Sequence, residues 1–457
     1  MSNSSSPAVR PQVMNRWMVV FGGVLIQLCL GAIYAWSVFT KVLVKAPFNF
    51  SDAQTQIVFS VGLATFAVFT IIGGRWQVKV GPTFVSRVGG LILAIGYVLA
   101  GLVERFMPGQ MFPGILATVG LIGGAGIGLA YVVPIACCVK WFPDKKGLAT
   151  GFAVAGFGFG ALIWIKLADP GAGALLIKFG GVSNVFMAYG VAYFVLIMLG
   201  SIWMKNPPAG WAPAGWTGAA AGGGKAATRP VVDFESGQML ATPQFWMLWV
   251  MYVCGALPGL MVLGIIQLFA IDALQARSGL TIEAASALAA TAAGVFLPIL
   301  NAFGRIAWGF ISDAIGRKPA IILMFLLQGV TQLVFFHMGG TKALLFLGAA
   351  SVGFNFGGAL ALFPAVTADF FGNKNVGKNY GWMFTAYGVG GIVGPIMAGL
   401  FKTAGKAAIQ GAADRASALN AALNAWYPAF IIAGVACIFA AVLALLLKPP
   451  SKPATAK

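Results

Sequence analysis

Twelve apolar stretches of membrane-spanning length divide this chain, at roughly 17–40, 55–74, 83–103, 112–139, 148–168, 184–204, 245–271, 285–311, 319–338, 343–367, 380–402 and 425–447. An α-helix rises 1.5 Å per residue, so about 20 apolar residues cross a hydrocarbon layer about 30 Å thick. The pattern predicts an all-α membrane protein of twelve transmembrane helices. The stretches form two sets of six, which predicts two pseudo-symmetric six-helix bundles at 17–204 and 243–447. Between them, 205–242 is rich in Gly, Ala and Pro (Pro207, Pro208, Gly222, Gly223, Gly224) and reads as a mobile cytoplasmic linker ending in the helix start Thr242-Pro243. Residues 1–16 and 448–457 read as cytoplasmic tails.

Composition strengthens this reading. The chain is 59% hydrophobic and 9% charged, with a mean hydropathy of +0.89, which excludes a soluble globule. A net charge of +18 invites a nucleic-acid partner, but the placement of the charges argues against one. With the N-terminus inside, inner loops and tails hold eighteen of the twenty-nine Lys and Arg, ten lie at or near outer segments, and Arg305 is left within the bilayer. This positive-inside bias puts both termini in the cytoplasm, in a multi-pass protein of the cell (inner) membrane. Residues 1–15 are Ser- and Pro-rich and lack the design of a cleaved signal. The cysteines Cys29, Cys137, Cys138, Cys254 and Cys437 all sit in apolar stretches and read as small hydrophobes, implying neither metal nor disulfide. No cofactor is expected.

The two halves repeat one another. Gly309-Phe310-Ile311-Ser312-Asp313-Ala314-Ile315-Gly316-Arg317-Lys318 follows the eighth stretch, and Gly74-Arg75-Trp76-Gln77-Val78-Lys79-Val80-Gly81-Pro82 follows the second, 235 residues earlier. Tyr131-Val132-Val133-Pro134 with Trp141 to Gly147 is echoed by Ala361-Leu362-Phe363-Pro364 with Phe370 to Lys374, at an offset of about 230. Two halves related in parallel are the plan of carriers that rock around a central site. Glycines at 120, 124 and 128, and at 156, 158 and 160, suit close helix packing, and the Gly390, Gly391, Gly394-Pro395 run weakens the eleventh helix. Glycine alone leaves open whether any of these helices bends as a gate.

Arg305 is the one cation placed near mid-depth. Its nearest carboxylates in sequence are Glu283 and Asp313. Asp313 is eight residues away, about 12 Å along a helix. A guanidinium stays charged at any cellular pH, and burying it unpaired is costly. The simplest missing partner is an anion that comes and goes. Asn301, four residues earlier, shares the same helix face and can offer an amide donor to a hydroxyl or keto oxygen. One cation suits a monoanion, since a dianion would leave a charge uncompensated. No Asp or Glu falls in a predicted membrane core, so anion exchange is the natural coupling, with proton symport through water, a tyrosine or the substrate left open. Lys166 and His337, near outer helix ends, read as peripheral.

With its GxxxDxxGRK run at Gly309 to Lys318, the chain resembles the major facilitator superfamily. Within it, the chain looks like the oxalate/formate antiporter and monocarboxylate transporter branch, on Asn15-Arg16-Trp17, Trp141 to Ala149, Thr242-Pro243-Gln244-Phe245-Trp246, and Arg305 followed by Trp308-Gly309-Phe310. The resemblance implies that Arg305 grips a substrate carboxylate, and that Asp313, Arg317 and Lys318, in the run opened by Gly309, form a charge latch on the cytoplasmic side. In the first half Val78 stands where the pattern has Asp, leaving Arg75 and Lys79 to bear that copy. The antiporter's second membrane cation is replaced here by Tyr387, and the Asp that animal proton-linked carriers place one turn before the Arg is Asn301. By the resemblance, helices 1, 4, 10 and 11 face the cavity, so Tyr34, Tyr131, Phe356, Phe384 and Tyr387 are candidate walls.

The leading expectation is therefore a secondary carrier of short monocarboxylates such as lactate, pyruvate or formate, working as a monomer by alternating access. An oxalate/formate exchanger is the nearest rival. An efflux pump for another organic solute shares the fold, but a cationic drug would want a buried acid. A receptor would want an appended signalling domain. No nucleophile–His–acid set, metal cluster or phosphate loop supports an enzyme.

Overall fold

Each helix starts and stops where local chemistry lets it. A computed structural model describes residues 14–168, 174–209, 211–213, 215–216, 233–410 and 412–450; the tails to 13 and from 451, and linker residues 217–232, lie outside the described residues. Among the described residues, twelve helices are long and apolar enough to cross a membrane: α1 (Arg16–Thr40), α2 (Ala53–Val80), α3 (Pro82–Phe106), α4 (Pro108–Trp141), α5 (Lys146–Ala168), α6 (Val182–Ser201), α7 (Pro243–Ser278), α8 (Ile282–Ile315), α9 (Arg317–Met338), α10 (Lys342–Phe371), α11 (Val376–Gln410) and α12 (Arg415–Leu446). Ser51 and Gln54 form a reciprocal capping box ahead of α2. Thr242 caps α7, with Pro243 in the first turn. The face where α1 begins and α12 ends is called inner below, after the charge bias.

The repeat in the sequence is a repeat in space. In the first half α2 packs on α4, α3 on α6 and α1 on α5; in the second, α8 packs on α10, α9 on α12 and α7 on α11. The halves meet where α5 crosses α8 and α2 crosses α11. The tight turn from α2 to α3 uses Gly81 at φ 88°, and its counterpart from α8 to α9 uses Gly316 at φ 93°. Those left-handed angles explain why the motif keeps a glycine there.

Five spans depart from regular geometry: α12 parts at Ala425–Trp426, and the other four carry the main candidate site residues. In α1 a 3₁₀ turn spans Gly31–Ala35. Wider π turns occupy Leu116–Gly123 in α4 and Ala292–Phe296 in α8. The eleventh helix is two helical stretches, Val376–Met383 and Thr385–Gln410, parted at Phe384. Such irregular turns frequently mark functional positions.

Two expectations need correction. The seventh helix outruns its apolar stretch and takes in Asp272, whose carboxylate accepts the Trp426 indole N–H at 2.8 Å. An acid therefore does sit within a spanning helix, near its outer end, because backbone bonding continues after hydropathy falls. The linker's far end is pinned. Phe234 donates its N–H to Phe371 O at 2.9 Å, and its carbonyl accepts from Asn375 and Asn379 at 2.9 and 3.0 Å. Asp233 accepts the Lys374 N–H at 2.9 Å, and Glu235 pairs with Lys378, which holds its carboxyl below the usual range. The segment Asp233–Ser236 thus straps the α10–α11 corner.

Replacing Gly316 by Ala forces an L side chain into the left-handed turn. Stability should fall by about 1–3 kcal/mol. Thermal unfolding of the purified protein measures this, and an unshifted midpoint would contradict the turn's role.

Candidate functional site

The site assembles where α8 crosses α5. Gly304 lets α10 approach so closely that a Cβ there would overlap the Phe354 carbonyl. On the other side Gly151 lies against the Arg305 carbonyl. Between these contacts Arg305 is fully buried. Its Nε and Nη2 donate to Asn301 Oδ1 at 3.2 and 2.9 Å, and Nη1 donates to Val154 O of α5 at 2.7 Å. The guanidinium lies 5.5 Å over the Phe157 ring. Every one of these partners is neutral, and no carboxylate among the described residues pairs with Arg305. A guanidinium has five N–H groups. Three are engaged, leaving one on each terminal nitrogen.

Asn301 is engaged within the protein through both ends of its amide. Its oxygen holds Arg305, and its amide nitrogen donates to Gly353 O at 3.3 Å. It therefore orients the guanidinium across the i, i+4 spacing instead of facing a solute with both amide hydrogens.

The aromatic candidates form one connected cluster of rings around Phe157 and Phe384. Tyr34 and Tyr131 have ring centroids 5.3 and 5.7 Å from Phe157. Phe384 touches both halves, 4.9 Å from Phe66 and 4.7 Å from Tyr131, and stacks on Tyr387 at 5.0 Å. Phe356 extends the stack beyond Tyr387 at 6.5 Å. The hydroxyls of Tyr34 and Tyr387 are buried without hydrogen-bond partners. Unpaired buried hydroxyls are costly, and a bound polar solute or water relieves them. The sequence reading missed Tyr252 and Tyr380, whose hydroxyls meet at 3.2 Å. Both lie within electrostatic reach of Arg305, as do Tyr34 and Tyr131. Only their place near the inner ends of α7 and α11 could have signalled them.

The proposed latch residues divide. Asp313 accepts the Gly147 and Leu148 N–H groups at 2.9 and 2.8 Å and pairs with Arg317 at 2.7 Å. Gly309 is where α8 passes closest to Gly147. Arg317 also meets Asp369 at 2.7 Å, and Asp369 meets Lys146 across the halves at 2.7 Å. The acid Asp369, on α10, was missed. Lys318 stands outside this network, donating to Leu445 O at 2.6 Å, because its side chain leaves α9 toward α12. Arg75 lies over the Trp382 ring at 5.2 Å, and Lys79 is exposed. Lys166 and His337 are exposed as well.

Comparison with known proteins places this geometry. The sequence model of the Major Facilitator Superfamily matches residues 19–395 and 285–457. The MFS-type transporter YhjX of Escherichia coli is 31% identical over 383 residues, covering 82% of this chain and 86% of that one. The oxalate:formate antiporter of Oxalobacter formigenes is 30% identical over 389 residues, covering 83% of each. Apicoplast pyruvate carrier 1 of Toxoplasma gondii is 25% identical, covering 81% of each. In fold, the chain is similar to the transporter FucP in its outward conformation, with a TM-score of 0.61 at 13% identity over 94% of this chain and 99% of that one.

Removing the Asn301 amide should loosen the guanidinium. Asn301→Ala is expected to lower stability by about 1.5–3 kcal/mol, the scale of a hydrogen bond to a charged group. Thermal unfolding checks this, and an unchanged midpoint would show that Val154 alone suffices.

Proposed function

The chain belongs to the Major Facilitator Superfamily, and on that premise we propose that it carries small carboxylates, with a short monocarboxylate of the lactate, pyruvate or formate class as its solute. It is a multi-pass membrane protein and a secondary transporter, not an enzyme. One observation carries the substrate reading. Arg305 bears a buried charge with neutral partners only, and keeps one N–H free on each terminal nitrogen. Those two donors suit the two oxygens of a carboxylate, bound through parallel hydrogen bonds.

Charge decides between one carboxylate and two. A monocarboxylate neutralises the guanidinium. Oxalate brings a second negative charge, and burying it uncompensated costs several kcal/mol. Tyr387 offers a neutral hydroxyl for the solute's other end. Relatives named as an oxalate:formate antiporter and a pyruvate carrier support a carboxylate without choosing between the two. Oxalate/formate exchange is kept as the second reading, because the antiporter matches over most of both chains.

The coupling follows from the same charge. Empty, the guanidinium resists crossing; loaded, the site is close to neutral, so solute binding favours the occluded intermediate and drives alternation. This gives exchange against a second anion, and a proton moving with the solute would serve the same balance. The protein acts as a monomer in the cell (inner) membrane with both termini in the cytoplasm, a placement supported by the excess of Lys and Arg on inner loops.

In proteoliposomes, Arg305→Ala should abolish saturable lactate, pyruvate and formate uptake, a loss of about 2–5 kcal/mol of binding for an unpaired charge. Retained saturable uptake would end the carboxylate reading. Tyr387→Lys should raise oxalate counterflow by adding the second cation, and strong oxalate exchange by the unaltered protein would favour the second reading instead.

A further inference from the structure

The inner crossings of α5 with α8 and of α2 with α11 are related by the repeat, yet they are built from opposite chemistry. Gly309 meets Gly147 at the first, and Gly74 meets Gly377 at the second. At the first, four charged side chains interlock: Asp313 on the α5 N-terminus, Arg317 between Asp313 and Asp369, and Lys146 on Asp369. Shifting by the repeat offsets of 235 and 230 residues gives their counterparts at the second crossing. Asp313 becomes Val78, Arg317 becomes Pro82, Asp369 becomes Val139 and Lys146 becomes Val376. All four charges are replaced by apolar side chains. Val139 and Val376 remain in touch across the halves, in a small buried cluster with Ala136 and Ala368.

We propose that the inner gate opens unevenly: the α2–α11 crossing parts first, the α5–α8 network holds as the pivot, and the solute leaves Arg305 on the α2–α11 side past Phe66 and Phe384. The charged network is directional and shared. Asp313 sits where the helix dipole favours an anion, and freeing Asp369 or Arg317 leaves Lys146 or Asp313 without its ion-pair partner. The apolar contact has no such directionality and can separate by degrees. At Phe384 the backbone of α11 departs from regular helix, with ψ −15° although i→i−4 hydrogen bonds continue through it, and this point serves as the joint between Val376–Met383, resting on α2, and Thr385–Gln410, packed on α7 and α2. Phe384 lies at that joint and contacts Phe66 of α2 directly. On the opposite wall the Arg305–Val154 bond ties the site to the crossing that holds.

The experiment measures distances and needs no solute, so its failure leaves the carboxylate reading intact, and the reverse. In a cysteine-free background in lipid bilayers, spin labels are placed at Val80 and Lys374 across α2–α11, and at Lys145 and Ala314 across α5–α8; all four positions are exposed. The first pair should give a second, longer distance component and the second pair a single narrow one. Copying the apolar crossing onto the charged one, with Lys146→Val and Asp369→Val together, should transfer the longer component to the Lys145–Ala314 pair. Should that double variant fail to fold, Asp369→Asn alone should give a smaller transfer in the same direction. A single narrow distance in both pairs, equal breadth in both, or an unchanged Lys145–Ala314 distance after charge removal would overturn the proposal.

Discussion

A guanidinium buried between two halves of a membrane protein, with neutral acceptors and no counter-charge among the described residues, is the constraint around which this molecule is arranged. Keeping Arg305 in place takes an amide one turn away on α8, a backbone carbonyl borrowed from α5, and an aromatic face beneath it. The two partners on α5 sit close because Gly151 lets that helix close on α8, while Gly304 lets α10 close on the other side. Two of its bonds come from its own helix, and the third spans the halves. Arg305 therefore sits on the seam between the two halves, bonded from both sides.

The aromatic cluster serves the same constraint from the other side. Rings supply an apolar wall in a low-dielectric interior, and their hydroxyls place polar ends near the charge without adding a competing one. The Tyr252 and Tyr380 hydroxyls meet each other, whereas those of Tyr34 and Tyr387 are buried without a partner. The aromatic cluster thus separates into a hydrogen-bonded pair on the inner side and two unpaired hydroxyls beside it.

Much of this was legible along the chain, for reasons that also set the limit. Hydropathy located twelve spans because lipid imposes one length on all of them, and α7 overran its stretch only where polar residues continued a helix already begun. The Asn301–Arg305 and Asp313–Arg317 pairs were readable because four residues make one turn. Asp369 with Lys146 was not, since they are 223 residues apart and meet only through the docking of the two bundles. Periodicity tells which face a helix buries and says nothing of the face it meets. For the same reason Lys318, part of a recognisable run, went to α12 instead of joining its neighbours.

The strap at Asp233–Ser236 has a consequence for the start of the second bundle. Because it is fastened to the α10–α11 corner ahead of α7, the entry to α7 and the foot of α11 are tied to each other by side-chain and backbone hydrogen bonds. The foot of α11 also rests on α2, so the same few residues are moored to both bundles, like a cleat that takes two ropes.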